Sequence, residues 1–138
     1  HPHHPELGNR HFKLGKEVWI ERTDFEETPP KGFFRLFVGN KVRLKYGHVI
    51  ECTGFSKDAA GNVTEVQATV VPDTKSGTPG SASVKVKGVI TWVAAADAQT
   101  AEVRLYDRLF TAEHPDAGGK DHMASLNPNS LKIIQDIV

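Results

Sequence analysis

The sequence has little of several features that would place it in a specialised class. Its 138 residues include one cysteine, so no disulfide can form within the chain, and a reducing cytoplasm is the simplest compartment. No apolar run approaches the roughly 20 residues of a membrane-spanning helix, so we expect no membrane partner. The 17 basic and 17 acidic residues cancel, so total charge indicates no particular ligand. A composition of 38% hydrophobic and 25% charged residues is typical of a globular domain.

The residues of an active site are also missing. No serine or cysteine nucleophile occurs in a recognisable motif, and Cys52 falls beside Ile50 on an apolar face, as a small core residue does. No glycine-rich loop follows a strand, as a phosphate cradle requires. Four histidines near the N-terminus lack a second pair of metal ligands: His1, His3, His4 and His11. We predict no catalytic, cofactor or metal site, and we interpret the chain, which begins without Met, as a fragment of a larger protein.

What the sequence does contain is a succession of short β patterns. Alternating or apolar runs predict strands at residues 16–22, 42–50, 49–55, 63–71, 84–93, 101–106 and 130–138. A hairpin turn is predicted at 57–62, helical turns at 23–28 and 120–125, and a mobile Gly/Ser/Pro/Thr loop at 73–83. Within 84–93 we expect four buried residues, Val84, Val86, Val89 and Trp92. These patterns predict an all-β fold of small Greek-key β-barrels with short helical turns.

Positive charge is concentrated in one window that contains aromatic residues. Between Glu27 and Glu51 there is no acidic residue. The window holds five lysines and arginines and four aromatic residues: Lys31, Arg35, Lys41, Arg43, Lys45, Phe33, Phe34, Phe37 and Tyr46. Such a mixture suits single-stranded RNA, because bases stack on rings and phosphates bind cations. The alternative is a set of solvated charges beside core aromatics.

The spacing of two cations fits the RNA interpretation. If 42–50 is one strand, its even positions form one apolar face, and Arg43 and Lys45 project from the other face. They are then roughly 7 Å apart, a distance close to that between neighbouring phosphates of one strand.

Several blocks of sequence resemble one family. The chain is similar to the anticodon-binding region of the glutaminyl-tRNA synthetase family in blocks that run in family order. They are HPxxPExGxR at residues 1–10, VWIERxDF at 18–25, FRL at 34–36, GxxVRLK at 39–45, VKGVIxWV at 86–93, VRLYDRLF at 103–110 and LNPxSL at 126–131.

The resemblance implies roles for six residues. Arg35 falls where the family has an arginine that reads the third anticodon base, and Arg43 matches an arginine beside the first base. Lys45 stands where an arginine is common, which leaves a phosphate contact, and Lys31 matches an upstream basic position. The remaining two depart from the family pattern. His3 replaces an asparagine that contacts the tRNA near the anticodon stem, and Phe34 replaces a polar or basic residue, either to stack on a base or to join the core.

The resemblance also implies an architecture and a parent protein. Residues 1–28 and 100–138, approximately, would form the barrel nearer the catalytic half, and 29–99 the distal barrel. The parent would be a class I enzyme that ligates glutamine to its tRNA with ATP and Mg²⁺. This chain would lack the catalytic half and bind no cofactor itself. Its partners would be the anticodon loop and stem of glutamine tRNA and the catalytic half, in a cytoplasmic monomer.

Two other RNA-binding readings remain open, together with one that involves no RNA. The anticodon region of an archaeal or eukaryotic-type glutamyl-tRNA synthetase shares the barrels, although Trp19, Trp92 and the N-terminal block favour glutamine. A ribosomal protein of similar barrel fold would bind rRNA. A carbohydrate-binding module would need an exposed aromatic platform, whereas both tryptophans lie in strand patterns that predict burial.

Overall fold

The computed structural model describes residues 3–9 and 11–138, and these contain β-strands and short 3-10 turns without an α-helix. The strands are β1 (Val18–Ile20), β2 (Lys41–Leu44), β3 (Val49–Lys57), β4 (Val63–Val70), β5 (Val89–Ile90), β6 (Trp92–Ala94), β7 (Ala101–Tyr106) and β8 (Leu131–Ile137). The 3-10 turns are Pro5–Leu7, Arg22–Asp24, Pro79–Ala82, Ala95–Asp97, Ala117–Gly119 and His122–Ser125. The predicted all-β fold class is confirmed.

The chain divides into two compact units between Asp97 and Ala98. In the first unit, an open sheet has the order β4-β3-β2-β5, and β1 pairs separately with β6. Strands β2 and β5 are parallel, and the other pairs are antiparallel. The grouping of residues 1–28 with 100–138 in one barrel, and the closure of either barrel, stay predictions.

The core of the first unit is formed by one face of the sheet and the segment before it. Its buried members are Phe25, Leu36, Val42, Leu44, Ile50, Cys52 and Ile90. Alternation along β2 buries Val42 and Leu44 and leaves Lys41 and Arg43 half-buried. Cys52 is a core residue as predicted, and burial raises the pKa of its thiol.

The β3–β4 hairpin follows the sequence prediction. Oδ1 of Asp58 accepts hydrogen bonds from the backbone N–H groups of Ala60 (2.9 Å) and Asn62 (2.8 Å). The side chain of Asn62 is the main cause of the lowered pKa of Asp58, followed by these backbone donors. Gly61 has φ +86°, the left-handed conformation that glycine adopts at least cost in a tight turn.

The predicted continuous strand over 42–50 is wrong, because a tight turn interrupts it. Strand β2 ends at Leu44, and the N–H of Gly47 donates to the carbonyl of Leu44 at 2.7 Å. Tyr46 has φ +61° and is exposed rather than part of the apolar face. Lys45 therefore lies in the turn, so the argument that Arg43 and Lys45 follow one phosphate backbone from one strand face no longer applies.

The predicted strand over 84–93 is also wrong, because the chain changes sheet there. Strand β5 pairs with β2, whereas β6 pairs with β1, so pairing switches between Ile90 and Trp92. Ile90 is buried and Val89 is 56% exposed, the reverse of the prediction at these two positions, whereas Val84, Val86 and Trp92 are half-buried. A Cβ at Gly88 would overlap the carbonyl oxygen of Phe34, so this position requires glycine for close backbone approach.

The loop over 73–83, for which the composition predicts mobility, is held to its neighbours by several hydrogen bonds. Thr74 is fully buried; its Oγ1 accepts from the N–H of Val49 (2.9 Å) and donates to the carbonyl of Val71 (2.7 Å). The N–H of Ser76 donates to the carbonyl of Gly47 at 2.9 Å. Short polar side chains anchor this loop where apolar ones are lacking.

The second unit is a two-stranded ribbon with an irregular connection. Strands β7 and β8 pair antiparallel, with a register shift between Ala101 and Val103, and they confirm the predicted strands over 101–106 and 130–138. Asp121 caps the last 3-10 turn by accepting from the N–H of Met123 at 2.9 Å, within the predicted helical turn at 120–125. The other predicted helical turn is shorter, since Arg22–Asp24 ends before Phe25.

Thr74→Val should lower the free energy of unfolding by about 1–3 kcal/mol, because it leaves the buried N–H of Val49 without an acceptor. Thr64→Val is the matched control: Thr64 is exposed on β4, and its replacement should change stability by less than about 0.5 kcal/mol. Urea denaturation followed by circular dichroism measures both. Equal effects of the two substitutions would contradict the anchoring role of Thr74.

Candidate RNA-binding surface

Arg35 is held by a buried carboxylate. Its Nη1 donates to Oδ1 of Asp24, whose side chain is fully buried and whose Oδ2 finds no hydrogen-bond partner among residues 3–9 and 11–138. A backbone bond holds the two segments together, because the N–H of Leu36, next to Arg35, donates to the carbonyl of Asp24 at 2.9 Å. The Arg35 side chain remains 48% exposed, and the described residues offer no partner to its Nε or Nη2. The guanidinium is therefore oriented from one side and open on the other.

The guanidinium of Arg43 is hydrogen-bonded to backbone carbonyl groups of the protein itself. Its Nη1 donates to the carbonyls of Thr74 (2.6 Å) and Gly47 (3.2 Å), and its Nη2 donates to the carbonyl of Ser81. The guanidinium thereby joins the 45–48 turn to the 73–83 loop. Its contact with an anticodon base stays a prediction.

Lys45 presents a free cation on a fixed backbone. Its N–H donates to the carbonyl of Ile90 at 2.9 Å, and its own carbonyl accepts from Nε1 of Trp92 at 2.9 Å. The side chain is exposed, and Nζ lies 5.7 Å from the ring centroid of Tyr46. No carboxylate in the described part of the chain pairs with it.

The other three predicted residues are exposed. Lys31 lies in a turn that the N–H of Phe33 closes on the carbonyl of Pro30 at 3.1 Å. Phe34 is 50% exposed, with Nζ of Lys87 lying 4.8 Å from its ring centroid, so it is not a core residue. His3 is exposed in the N-terminal segment. His1 and Arg10, which belong to the sequence blocks above, lie outside the described residues.

The first unit thus brings Lys31, Phe34 and Arg35 together on one segment, and it presents Lys45 on the turn after β2. Sequence reasoning missed Asp24, because nothing in the pattern distinguishes it from the other acids of the 21–27 segment. It also missed Lys87. The alternation of valine and lysine over 84–87 places Lys85 and Lys87 on the exposed face of the predicted strand, but it does not indicate that they lie near Phe34.

The one Gly-Gly-Lys sequence, at 118–120, lies in and just after an exposed 3-10 turn, and both glycines have positive φ. Among the described residues no α-helix follows it that would direct N–H groups at a phosphate. Across residues 3–9 and 11–138, no three His, Cys, Asp or Glu side chains are grouped to hold a metal ion. In the same residues, no helix has the length and apolarity to span a bilayer.

Comparison with known proteins identifies the class. Residues 1–71 and residues 89–138 both match families described as tRNA synthetases class I (E and Q), anti-codon binding domain. The chain belongs to this family of anticodon-binding domains.

Curated relatives narrow the similarity to one member of the class. The chain is 67% identical over 135 residues to the glutamine–tRNA ligase of Ralstonia pickettii, a match that covers 98% of the chain. It is 69% identical to that of Cupriavidus taiwanensis and 66% identical to that of Bordetella avium, over 97% of the chain in each case. The chain spans 23% of the length of each of these relatives.

Arg35→Ala should lower the free energy of unfolding by about 1–3 kcal/mol, because it leaves the buried carboxylate of Asp24 without its partner. Arg35→Lys keeps the charge and should cost less. Lys57→Ala removes the exposed ion pair with Glu27 and should cost no more than about 1 kcal/mol. Urea denaturation gives all three values. In an Asp24→Asn background, Arg35→Ala should have a smaller effect, and a fully additive double variant would contradict the coupling.

Proposed function

We propose that this chain is the anticodon-binding region of a glutamine–tRNA ligase and binds the anticodon loop and stem of glutamine tRNA. The observation that carries the proposal is the match with relatives of that name along nearly the whole chain. The exposed cations and aromatic ring of the basic window support it, because they suit an unpaired RNA strand.

Each proposed contact has its own chemistry. Arg35, oriented by Asp24, offers its free guanidinium edge to the acceptor edge of guanine at the third anticodon position. Lys45 binds a phosphate as a point charge, and Lys31 adds a second cation upstream. Phe34 stacks on a base.

Two of the proposed contacts have less support. Three of the five N–H donors of Arg43 are engaged with carbonyl groups, so its contribution beside the first anticodon base is limited to Nε, to the second N–H of Nη2 or to holding the 73–83 loop. The imidazole of His3 would contact the RNA near the anticodon stem.

The proposal extends to the protein that carries this region. Its catalytic half would ligate glutamine to the tRNA with ATP and Mg²⁺ in the cytoplasm, and the whole enzyme would act as a monomer. This chain would supply recognition and no chemical step. It would be divided into a proximal barrel, approximately 1–28 with 100–138, and a distal barrel, approximately 29–99.

A glutamyl-tRNA synthetase is the second candidate, because the family description covers both E and Q enzymes. The two candidates differ in the anticodon that the chain should prefer. Binding of anticodon-arm hairpins from glutamine and glutamate tRNAs therefore separates them, and tighter binding of the glutamate hairpin would overturn the glutamine assignment.

Arg35→Lys should reduce discrimination between the glutamine anticodon hairpin and a hairpin whose third anticodon base is changed. The substitution keeps a cation beside Asp24 but removes the guanidinium edge, and the expected loss is about 1–3 kcal/mol of selectivity. Fluorescence anisotropy with the two labelled hairpins measures it. Equal weakening of both hairpins would show that Arg35 contacts a phosphate.

Lys45→Ala should weaken both hairpins by similar factors and lower the slope of log K against log salt by about 0.7. Lys57 is the matched control, since it is exposed at the far end of β3 and already pairs with Glu27. Lys57→Ala should leave the slope unchanged. An unchanged slope for Lys45→Ala would remove Lys45 from the interface.

A further inference from the structure

An open surface concavity of about 320 Å³, called the cavity below, lies in the first unit between the 33–41 segment and the 85–87 segment. Its volume is at the low end of the range of about 300–1,000 Å³ for small-ligand sites. Six of its lining residues are phenylalanines or lysines: Phe33, Phe34, Phe37, Lys41, Lys85 and Lys87. None of the described residues that line it is acidic. Aromatic surface and positive charge therefore meet in one concave place.

Two of the three lysines have uncompensated charge. Nζ of Lys41 lies 3.1 Å from Oε2 of Glu51, which neutralises it in part. Lys85 and Lys87 are exposed, and neither is within ion-pair distance of a carboxylate in the described residues. Lys87 lies over the ring of Phe34 and so brings its cation to the edge of an aromatic surface. An anionic ligand with a planar group fits both properties.

The two segments are held together by backbone packing. Gly88 lies so close to the carbonyl of Phe34 that no side chain fits there. The N–H of Arg43 donates to the carbonyl of Gly88 at 2.9 Å, which joins the end of the 85–88 segment to β2. The cavity therefore exists before any ligand binds, and little ordering of the chain opposes binding.

We infer that this cavity holds one unpaired nucleotide of the anticodon loop, with the base stacked on Phe34 and a phosphate bound by Lys85 and Lys87. The inference rests on the proposed function. An acidic peptide would satisfy the lysines but would offer no planar group to the phenylalanines. Asn40 lines the cavity and its Nδ2 donates to the carbonyl of Arg35 at 2.7 Å, so the cavity adjoins the segment that carries Arg35.

The phosphate contact is tested with the 138-residue chain carrying Lys85→Ala and Lys87→Ala together. The Kd for the glutamine anticodon hairpin should rise about fivefold, and the salt slope should fall by about 0.7 for one phosphate. A double variant with Lys57→Ala and Lys132→Ala removes the same charge from exposed positions that do not line the cavity. If this control loses as much affinity, the effect is one of net charge and the inference is overturned.

The base contact is tested with hairpins that carry an abasic site at each loop position in turn. At one position, loss of the base should weaken binding to the wild-type chain by roughly 5- to 100-fold. The same loss should matter much less to the Phe34→Ala variant, because the stacking partner is already gone. If no loop position shows this coupling, the cavity does not take a base.

The outcomes separate the inference from the function on which it rests. Tight binding by the wild-type chain with unchanged binding by the cavity variants overturns the inference alone. Failure of the folded wild-type chain to bind the hairpin overturns the proposed function, and the inference with it.

Discussion

The buried carboxylate of Asp24 sets the main constraint on the first unit. A charge removed from water requires a partner, and the only ion-pair partner among the described residues is the guanidinium of Arg35. The same two segments are joined by the bridge between Phe25 and Leu36, which buries two core side chains. The interaction that stabilises this part of the core therefore also orients the arginine that we assign to base recognition, so stability and recognition depend on one contact.

The cations of the basic window differ in what their side chains contact, although the composition of the window does not distinguish them. The guanidinium of Arg43 donates to three backbone carbonyls, one in the 45–48 turn and two in the 73–83 loop, and it joins these two segments. Lys45, two residues later, lies in the turn with its own carbonyl paired with Nε1 of Trp92, and its side chain is exposed. An arginine with several fixed donors suits the first position, and a compact point charge suits the second.

The parts of the fold that sequence predicted are those governed by local periodicity. The β3–β4 hairpin, the two strands of the second unit and the burial of Cys52 follow from alternation and turn residues. The alternation of apolar and polar residues gave a wrong strand prediction in two places. Around Tyr46 the alternation continues in the sequence although the chain makes a tight turn. After Gly88, which packs closely against Phe34, the chain passes from one sheet to another. The anchoring of Thr74 and the pairing of Asp24 depend on partners distant in sequence, which periodicity does not report.

The same limit applies to the candidate site. The cluster of aromatic and basic residues over 31–45 was visible in the sequence, since its members are close along the chain. Lys85 and Lys87 join it only because β5 lies parallel to β2, which brings segments more than 40 residues apart into register. A parallel pairing across such a separation depends on tertiary contacts. The sequence pattern therefore does not predict that Lys85 and Lys87 lie beside the 31–45 cluster.

Burial of the single cysteine gives the first unit a built-in reporter. The Cys52 thiol lies within the core on β3, it donates to the carbonyl of Gly54 at 3.6 Å, and its raised pKa keeps the reactive thiolate scarce. An alkylating reagent can therefore modify it only when β3 separates from its neighbours. The second unit contains no cysteine, so the rate of thiol labelling measures the opening of the first unit alone. No engineered probe is needed.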